Sequence, residues 1–208
     1  MKVIDLCMVS PGVKTVFRGC KNDWHPGKKR GKHIFGAERG VWKMHVLYFA
    51  YGSCMDETDF RRTVPEFHIC GRALLPDYRL VFSKFGSGRQ GGVADIIPAK
   101  GDHVQGVLYL FDEVFLPELD LREGVAEGMY ERIEIDVLIR GCRQRAYTYQ
   151  IIDKEAKEVR PSAAYARLIW NGMSRFATPD YQQRFQTRLK QDFGLCLPSN
   201  AENDRRQR

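Results

Sequence analysis

The sequence predicts an α+β fold in which a mostly antiparallel curved sheet, or small β-barrel, is flanked by helices. Short apolar or alternating segments separated by turn residues run from Val46 to Ile151, and helical periodicity begins only after Pro161. Strands joined by short turns favour a closed or strongly curved antiparallel sheet. No G-x-G-x-x-G motif follows the first strand and no P-loop is present, which disfavours the nucleotide-binding α/β folds.

Seven segments predict strands, because they are rich in apolar, β-branched and aromatic residues or alternate in polarity. They are 46–51, 68–75, 78–85, 92–98, 104–111, 129–139 and 145–151. The apolar residues of 129–139 share one face, as a half-buried strand requires, and they are Ile133, Ile135, Val137 and Ile139. A turn at 140–142 joins this strand to the next. The glycine-rich stretch 85–92 predicts a mobile loop.

Three helices are predicted. A short one covers 112–121 and is capped by Asp112. Two longer helices follow Pro161, over 162–173 and 180–193. Pro179 opens the second of them and Gly194 ends it, because proline suits a first helical turn and glycine suits the residue after a last one.

Composition limits the class of protein. The chain has 208 residues, of which 43% are hydrophobic and 28% charged, so it predicts one ordinary domain with a core and excludes a disordered chain. No run approaches the roughly 18 to 20 apolar residues of a membrane helix, so neither an integral membrane protein nor a membrane partner is predicted. The first residues do not have the pattern of a signal peptide.

The net charge of +7 is unevenly distributed. Residues 1–43 carry ten Lys and Arg against three acids, which leaves 23 basic and 23 acidic residues in 44–208. The chain is therefore divided into a basic, flexible extension (1–43), a neutral globular domain (44–195) and a polar tail (196–208). Nucleic acid is not predicted as a partner of the domain, since the charge lies elsewhere. Two interpretations of 1–43 stay open, an upstream extension or a basic arm in weak contact with RNA or an acidic partner.

The six cysteines form no C-x-x-C pair, which is typical of a reduced, cytoplasmic protein rather than a disulfide scaffold. Cys7, Cys20, His25 and His33 could be drawn as a metal site. The spacing of the two cysteines fits no compact zinc finger, so no metal is predicted.

Motifs for histidine-based catalysis are absent. The sequence has no H-E-x-x-H, no G-x-S-x-G and no histidine after His103, so acid–base chemistry is expected to use a carboxylate. Two features are candidates. Tyr51-Gly52-Ser53-Cys54 ends a buried strand, and its backbone N–H groups can bind a carboxylate, or it is an ordinary strand-to-loop turn. Glu123 is either a carboxylate at the lip of a barrel with a raised pKa, or the solvated end of a helix closed by Gly124.

Three separated motifs resemble the γ-glutamylcyclotransferase family, and they occur in the family's order: YFAYGSCM at 48–55, EGV…GMY at 123–130 and PSAAY at 161–165. The resemblance covers about 44–195. It implies the γ-glutamylcyclotransferase-like barrel with flanking helices. It also implies that the α-amine of a γ-glutamyl amino acid or amine attacks its own γ-carbonyl, forming 5-oxoproline and releasing the free amine, with neither metal nor cofactor.

The resemblance also implies roles for particular residues. Glu123 would move the protons. Substrate-binding residues would come from the first motif and two later tyrosines, and they are Tyr48, Phe49, Ala50, Tyr51, Gly52, Ser53, Cys54, Tyr130 and Tyr165. Two alternatives remain, a catalytically silent module that binds a γ-glutamyl-type ligand and an enzyme that removes a γ-glutamyl protecting group during biosynthesis. Neither the oligomeric state nor the particular γ-glutamyl substrate is predicted.

Cys54 departs from the family pattern, which has asparagine after the Tyr-Gly-Ser of the first motif. A thiol fixes its own loop less well than an amide does. Two interpretations stay open: an oxidisable thiol whose pKa is lowered beside an anion-binding turn, or a small residue that fills space.

Overall fold

The computed structural model describes residues 44–197. The predicted extension 1–43, with Cys7, Cys20, His25 and His33, lies outside the described residues, and so does most of the predicted tail, 198–208. Predictions for these segments are therefore not compared with the structure.

In the described part of the chain, five strands form the sheet: β1 (His45–Ala50), β2 (Phe67–Gly86), β3 (Gly91–Asp112), β4 (Tyr130–Ile139) and β5 (Cys142–Ile151). They close into a barrel in the order β1-β3-β2-β4-β5. All neighbouring pairs are antiparallel except β1 and β5, which are parallel. The predicted α+β class, with a small barrel and flanking helices, is confirmed.

The four segments predicted between 68 and 111 form only two strands. The long strands β2 and β3 pair along their whole length, from Phe67 with Phe111 to Gly86 with Gly91. Their register shifts between Pro76 and Tyr78, where Asp77 adopts a left-handed conformation with φ 59°. The Asp77 carboxylate accepts a hydrogen bond of 2.8 Å from the N–H of Gly101. This irregularity bends the pair without ending it, as a β-bulge does.

The prediction of a mobile loop over 85–92 is wrong. Its outer residues belong to β2 and β3, and the hairpin tip is a 3₁₀ turn, Ser87–Arg89. Gly92 is needed for close packing rather than for mobility, since a Cβ there would lie 2.1 Å from the backbone oxygen of Val159. The Gly92 N–H donates to the carbonyl of Arg160 at 2.9 Å. The segment before the first long C-terminal helix therefore lies directly on the hairpin.

Residues 44–197 contain four helices: α1 (Glu57–Arg61), α2 (Leu116–Glu123), α3 (Ala163–Phe176) and α4 (Pro179–Phe193). The sequence predicted the last three. Asp112 caps a 3₁₀ turn, Glu113–Phe115, that leads into α2. Ser162 and Thr178 cap α3 and α4 by accepting hydrogen bonds from backbone N–H groups. Within 44–197, no helix is long and apolar enough to cross a membrane.

The core lies inside the barrel and between the barrel and α3. Its largest fully buried side chains are Trp170, Tyr109, Phe49, Phe60, Phe82 and Phe111. The alternation of β4 is confirmed, because Ile135, Val137 and Ile139 are buried and Ile133 packs against the core. Polar groups lie instead at the mouth of the barrel, where β1 ends.

Candidate active site

The strand β1 ends in a tight turn at the mouth of the barrel. Ser53–Met55 forms one 3₁₀ turn, in which the N–H of Met55 donates to the carbonyl of Gly52 at 3.0 Å. The N–H groups of Ser53 and Cys54 precede this first bond, so they have no acceptor within the turn. Such adjacent N–H groups can bind a carboxylate.

Two neighbours hold this turn from behind. The Tyr109 hydroxyl donates to the carbonyls of Cys54, at 3.1 Å, and Met55, at 3.3 Å. Gly172 of α3 packs against Met55 so closely that a Cβ on Gly172 would lie 2.3 Å from the Met55 Cβ. The turn is therefore fixed by contacts far away in the sequence.

Glu123 is brought to the same place by the end of α2. Gly124 follows it in the left-handed conformation, with φ 65°, and this ends the helix. The Glu123 Oε1 lies 3.8 Å from the Cys54 Sγ and 3.7 Å from the Arg122 Nε. Burial raises the pKa of Glu123, and the raising outweighs the opposite effects of Arg122 and the Cys54 thiol. A raised pKa suits a group that takes up and returns protons near neutral pH.

Tyrosine side chains make up much of the cavity wall. The Tyr130 hydroxyl donates to the carbonyl of Ala94, and the Tyr165 hydroxyl accepts from the N–H of the same residue, each at 3.2 Å. The Tyr51 hydroxyl donates to the carbonyl of Tyr149 at 2.6 Å. Burial raises the pKa of Tyr165 to about 12, so its hydroxyl stays protonated. The wall therefore presents neutral, ordered phenols.

Most of the predicted site residues meet around one cavity. Those that line it are Tyr48, Tyr51, Gly52, Ser53, Cys54, Glu123, Tyr130 and Tyr165. Phe49 and Ala50, also predicted to bind substrate, do not line it. Both are fully buried in the core behind the turn. The motif that contains them thus combines cavity residues with core residues.

Several residues of this region were missed. Ala94 and Tyr149 line the cavity, and Arg89, Arg122 and Asp59 form a charged cluster beside it. Tyr149 lies on β5 two residues before the buried Ile151, so the period of a strand places both on one face, which was a usable signal. Nothing local marks the charged cluster, because its members come from three separate elements.

Cys54 is a buried thiol in this structure, with 4% of its surface exposed. Burial, together with the nearby Glu123 carboxylate, raises the pKa of Cys54 to about 12. The expectation of a lowered pKa and an oxidisable thiol is therefore wrong. The reason is that desolvation of the thiolate outweighs the favourable charge of Arg122. The interpretation as a small buried residue agrees with these findings.

We expect iodoacetamide to label Cys196 well before Cys54 in the native protein. Cys196 is exposed, whereas Cys54 is buried and almost fully protonated near neutral pH. Peptide mass analysis after short exposures measures the order, and the same reaction in denaturant is the control. Native labelling of Cys54 as fast as that of Cys196 would contradict the burial of this thiol.

The raised pKa of Glu123 also predicts how stability depends on pH. Between the unfolded and folded pKa values the native state binds more protons, so this group's contribution to stability is lost as pH rises through the folded pKa. The variant Glu123→Gln carries no such charge. We therefore expect its Tm to exceed that of the wild type at about pH 8, with a smaller difference at about pH 4.

Thermal unfolding across this pH range measures the difference, and Glu127→Gln on the exposed loop after α2 is the matched control. A difference between Glu123→Gln and wild type that does not change with pH would mean that this carboxyl has an ordinary pKa.

Comparison with known proteins shows the family of this chain. The family model described as "Gamma-glutamyl cyclotransferase, AIG2-like" matches residues 48–168. The chain belongs to this family. It is 33% identical over 150 residues to the "Gamma-glutamylcyclotransferase" of Mus musculus, covering 69% of this chain and 77% of that protein. It is 32% identical over 153 residues to the protein of the same name from Bos taurus, covering 71% and 80%.

Among solved structures, one titled "Gamma-glutamyl cyclotransferase" is similar at a TM-score of 0.65 and 28% identity, covering 75% of this chain and 90% of that one. The residues matched by the γ-glutamylcyclotransferase family model include every cavity-lining residue. The turn, Glu123 and the tyrosine wall thus all lie within the part of the chain that carries the family resemblance.

Proposed function

We propose that this chain converts a γ-glutamyl amino acid or amine into 5-oxoproline and the free amine by intramolecular cyclisation. The observation that carries the proposal is the position of Glu123, whose carboxylate lies beside the 53–55 turn in a tyrosine-lined cavity. Membership of the γ-glutamylcyclotransferase family supports it. The reaction needs no outside nucleophile, because the substrate supplies its own amine.

Each step has a candidate group. The N–H groups of Ser53 and Cys54 bind the α-carboxylate of the γ-glutamyl group and orient its α-amine. Glu123 removes a proton from the α-ammonium, and the free amine attacks the γ-carbonyl carbon. A carbon–nitrogen bond of the new ring forms, and the bond to the departing amine breaks. Glu123 returns its proton to that amine, and the ring nitrogen gives its remaining extra proton to the released amine, which leaves as an ammonium, so protons balance without water, metal or redox cofactor.

The buried surroundings of Glu123 support this double role. A carboxyl with an ordinary pKa is a weak base near neutral pH, and burial makes this one more basic. The phenols of Tyr130 and Tyr165 are fixed through Ala94 and shape the cavity in which the γ-glutamyl group folds back on itself. The proposal assigns the activity to residues 44–195 and a cytoplasmic location to the protein, for which the support is the cysteine pattern of the sequence.

The test is to incubate the protein with a panel of γ-glutamyl amino acids and amines and to quantify 5-oxoproline, glutamate and released amine. We expect equal amounts of 5-oxoproline and amine. Glutamate in place of 5-oxoproline would indicate hydrolysis and overturn the cyclisation. Binding without any product would favour a silent ligand-binding module. Turnover of only the larger γ-glutamylated compounds would favour a biosynthetic deprotection enzyme.

A further inference from the structure

Three guanidinium groups surround one carboxylate beside the cavity. Asp59 of α1 is 7% exposed. Its oxygens lie 2.5 Å from the Arg122 Nη2, 3.6 Å from the Arg89 Nη2 and 3.6 Å from the Arg62 Nη1. Even when Glu123 is counted, the cations outnumber the carboxylates in this cluster. A site with such an excess of positive charge attracts an anion.

The three arginines are not equivalent. Arg122 is fully engaged, since it also donates to the Asp59 carbonyl at 3.0 Å and to the Thr63 hydroxyl at 3.1 Å. Arg62 has a side chain that is 76% exposed, and within residues 44–197 it touches none of the cavity-lining residues through a hydrogen bond or ion pair. Within residues 44–197, the polar contacts of the Arg89 guanidinium are long, at 3.6 Å to Asp59 and 3.5 Å to the Ser53 Oγ. Its guanidinium is therefore the one of the three that can most easily bind a ligand.

The backbone of Arg89 is nevertheless fixed by its neighbours. Its carbonyl accepts a hydrogen bond of 2.6 Å from the Ser162 hydroxyl, at the start of α3. Gly92, three residues on, lies against the backbone of Val159. The Arg89 guanidinium carbon stands 5.2 Å from the centre of the Tyr165 ring, in the range of a cation–π contact. The hairpin tip thus places one cation beside the Tyr165 ring.

That place is the rim of the cavity. Arg89 contacts Ser53 and Tyr165, which line the cavity, but does not line it itself, and its side chain is 37% exposed. Under the proposed function, the γ-glutamyl group occupies the buried part, where Glu123 and the 53–55 turn are. The departing amino acid must then extend outward past the rim, and its own carboxylate is the nearest part that carries negative charge.

We propose that Arg89 binds the carboxylate of the departing amino acid and so selects γ-glutamyl amino acids over γ-glutamyl amines. This inference rests on the proposed function. The guanidinium exchanges its long contacts with Asp59 and Ser53 for a paired contact with the carboxylate, and Asp59 keeps Arg122 as its partner. Because the departing carboxylate keeps its charge during cyclisation, the contact stabilises substrate and transition state alike. It therefore lowers KM without changing kcat.

The experiment compares γ-glutamyl-alanine with γ-glutamyl-alaninamide, which differ only in this carboxylate. For Arg89→Gln we expect KM for γ-glutamyl-alanine to rise about tenfold, with kcat unchanged, and both constants for the alaninamide to stay within about twofold. Arg89→Lys should retain part of the preference, because it keeps the charge and loses the fork. Arg79→Gln, on the exposed face of β2, is the matched control and should change neither KM nor kcat for either substrate.

Two results would overturn the inference: an unchanged preference in Arg89→Gln, or an equal loss on both substrates, which would mark a structural role. Absence of 5-oxoproline from both substrates with the wild type is a different result and contradicts the proposed function instead. In that case calorimetric binding of the same two compounds decides the role of Arg89. An about tenfold weaker affinity of Arg89→Gln for γ-glutamyl-alanine alone supports it, and any other pattern rejects it.

Discussion

Replacing Glu123 by glutamine is expected to lower kcat for 5-oxoproline formation by about 10²–10⁴-fold, the usual contribution of general acid–base catalysis. Glutamine nearly matches the shape of glutamate, but it can neither accept the proton of the α-ammonium nor return it to the departing amine. The effect should fall on kcat and leave KM within a few fold, because the proposed α-carboxylate contacts come from Ser53 and Cys54.

The measurement is steady-state release of 5-oxoproline, with Glu127→Gln as a control for loss of a carboxylate near the same helix end. The Glu123→Gln variant must also be shown to be folded. A cooperative thermal transition, with the expected rise in Tm near pH 8, provides this control. A Glu123→Gln enzyme with more than about a tenth of the wild-type kcat would remove Glu123 from the proton-transfer role.

Gly172→Ala should disrupt both stability and activity, because α3 packs against the back of the 53–55 turn. The new Cβ would lie 2.3 Å from the Met55 Cβ and 2.4 Å from its backbone carbonyl carbon, so the backbone of the turn must move. Overpacking of this kind costs about 1–3 kcal/mol, which exceeds the gain of up to about 1 kcal/mol from alanine's helix propensity. Displacing the turn also displaces the Ser53 and Cys54 N–H groups, so KM should rise.

Denaturant unfolding and substrate kinetics test this, with Gly88→Ala as the control. A Cβ on Gly88 meets no heavy atom within 4 Å, so that variant should match the wild type in stability. If Gly172→Ala were as stable and active as Gly88→Ala, the contact between α3 and the turn would not be tight, and the turn would owe its position to Tyr109 alone.

The sequence predicted those elements whose signals are local. The alternation of Ile133, Ile135 and Val137 specifies which face of β4 is buried, since side chains alternate along a strand. The left-handed residues Arg140 and Gly141 make the two-residue turn to β5. The glycine-rich composition of 85–92 led to the wrong prediction of a mobile loop. Composition does not distinguish glycine that permits motion from glycine that permits close packing.

Part of the candidate site could also be predicted from local signals. Glu123 and the 51–54 turn could be named from motifs, but their meeting could not be derived from either, since 69 residues separate Cys54 from Glu123. The sequence-based interpretation that the pKa of Cys54 is lowered was wrong for a related reason. Desolvation depends on atoms supplied by the whole fold, whereas the sequence shows only the neighbours along the chain.

By itself, then, the sequence determined the α+β class, the buried face of β4, the γ-glutamylcyclotransferase resemblance and the identity of the candidate carboxylate, because each depends on local pattern. Only the tertiary structure decided that β1 and β5 close the barrel as a parallel pair, that α3 fixes the 53–55 turn, and that Arg89 from a hairpin tip shares Asp59 with Arg122. These contacts join residues far apart in the chain, and no local preference encodes which distant surfaces meet when the core is buried.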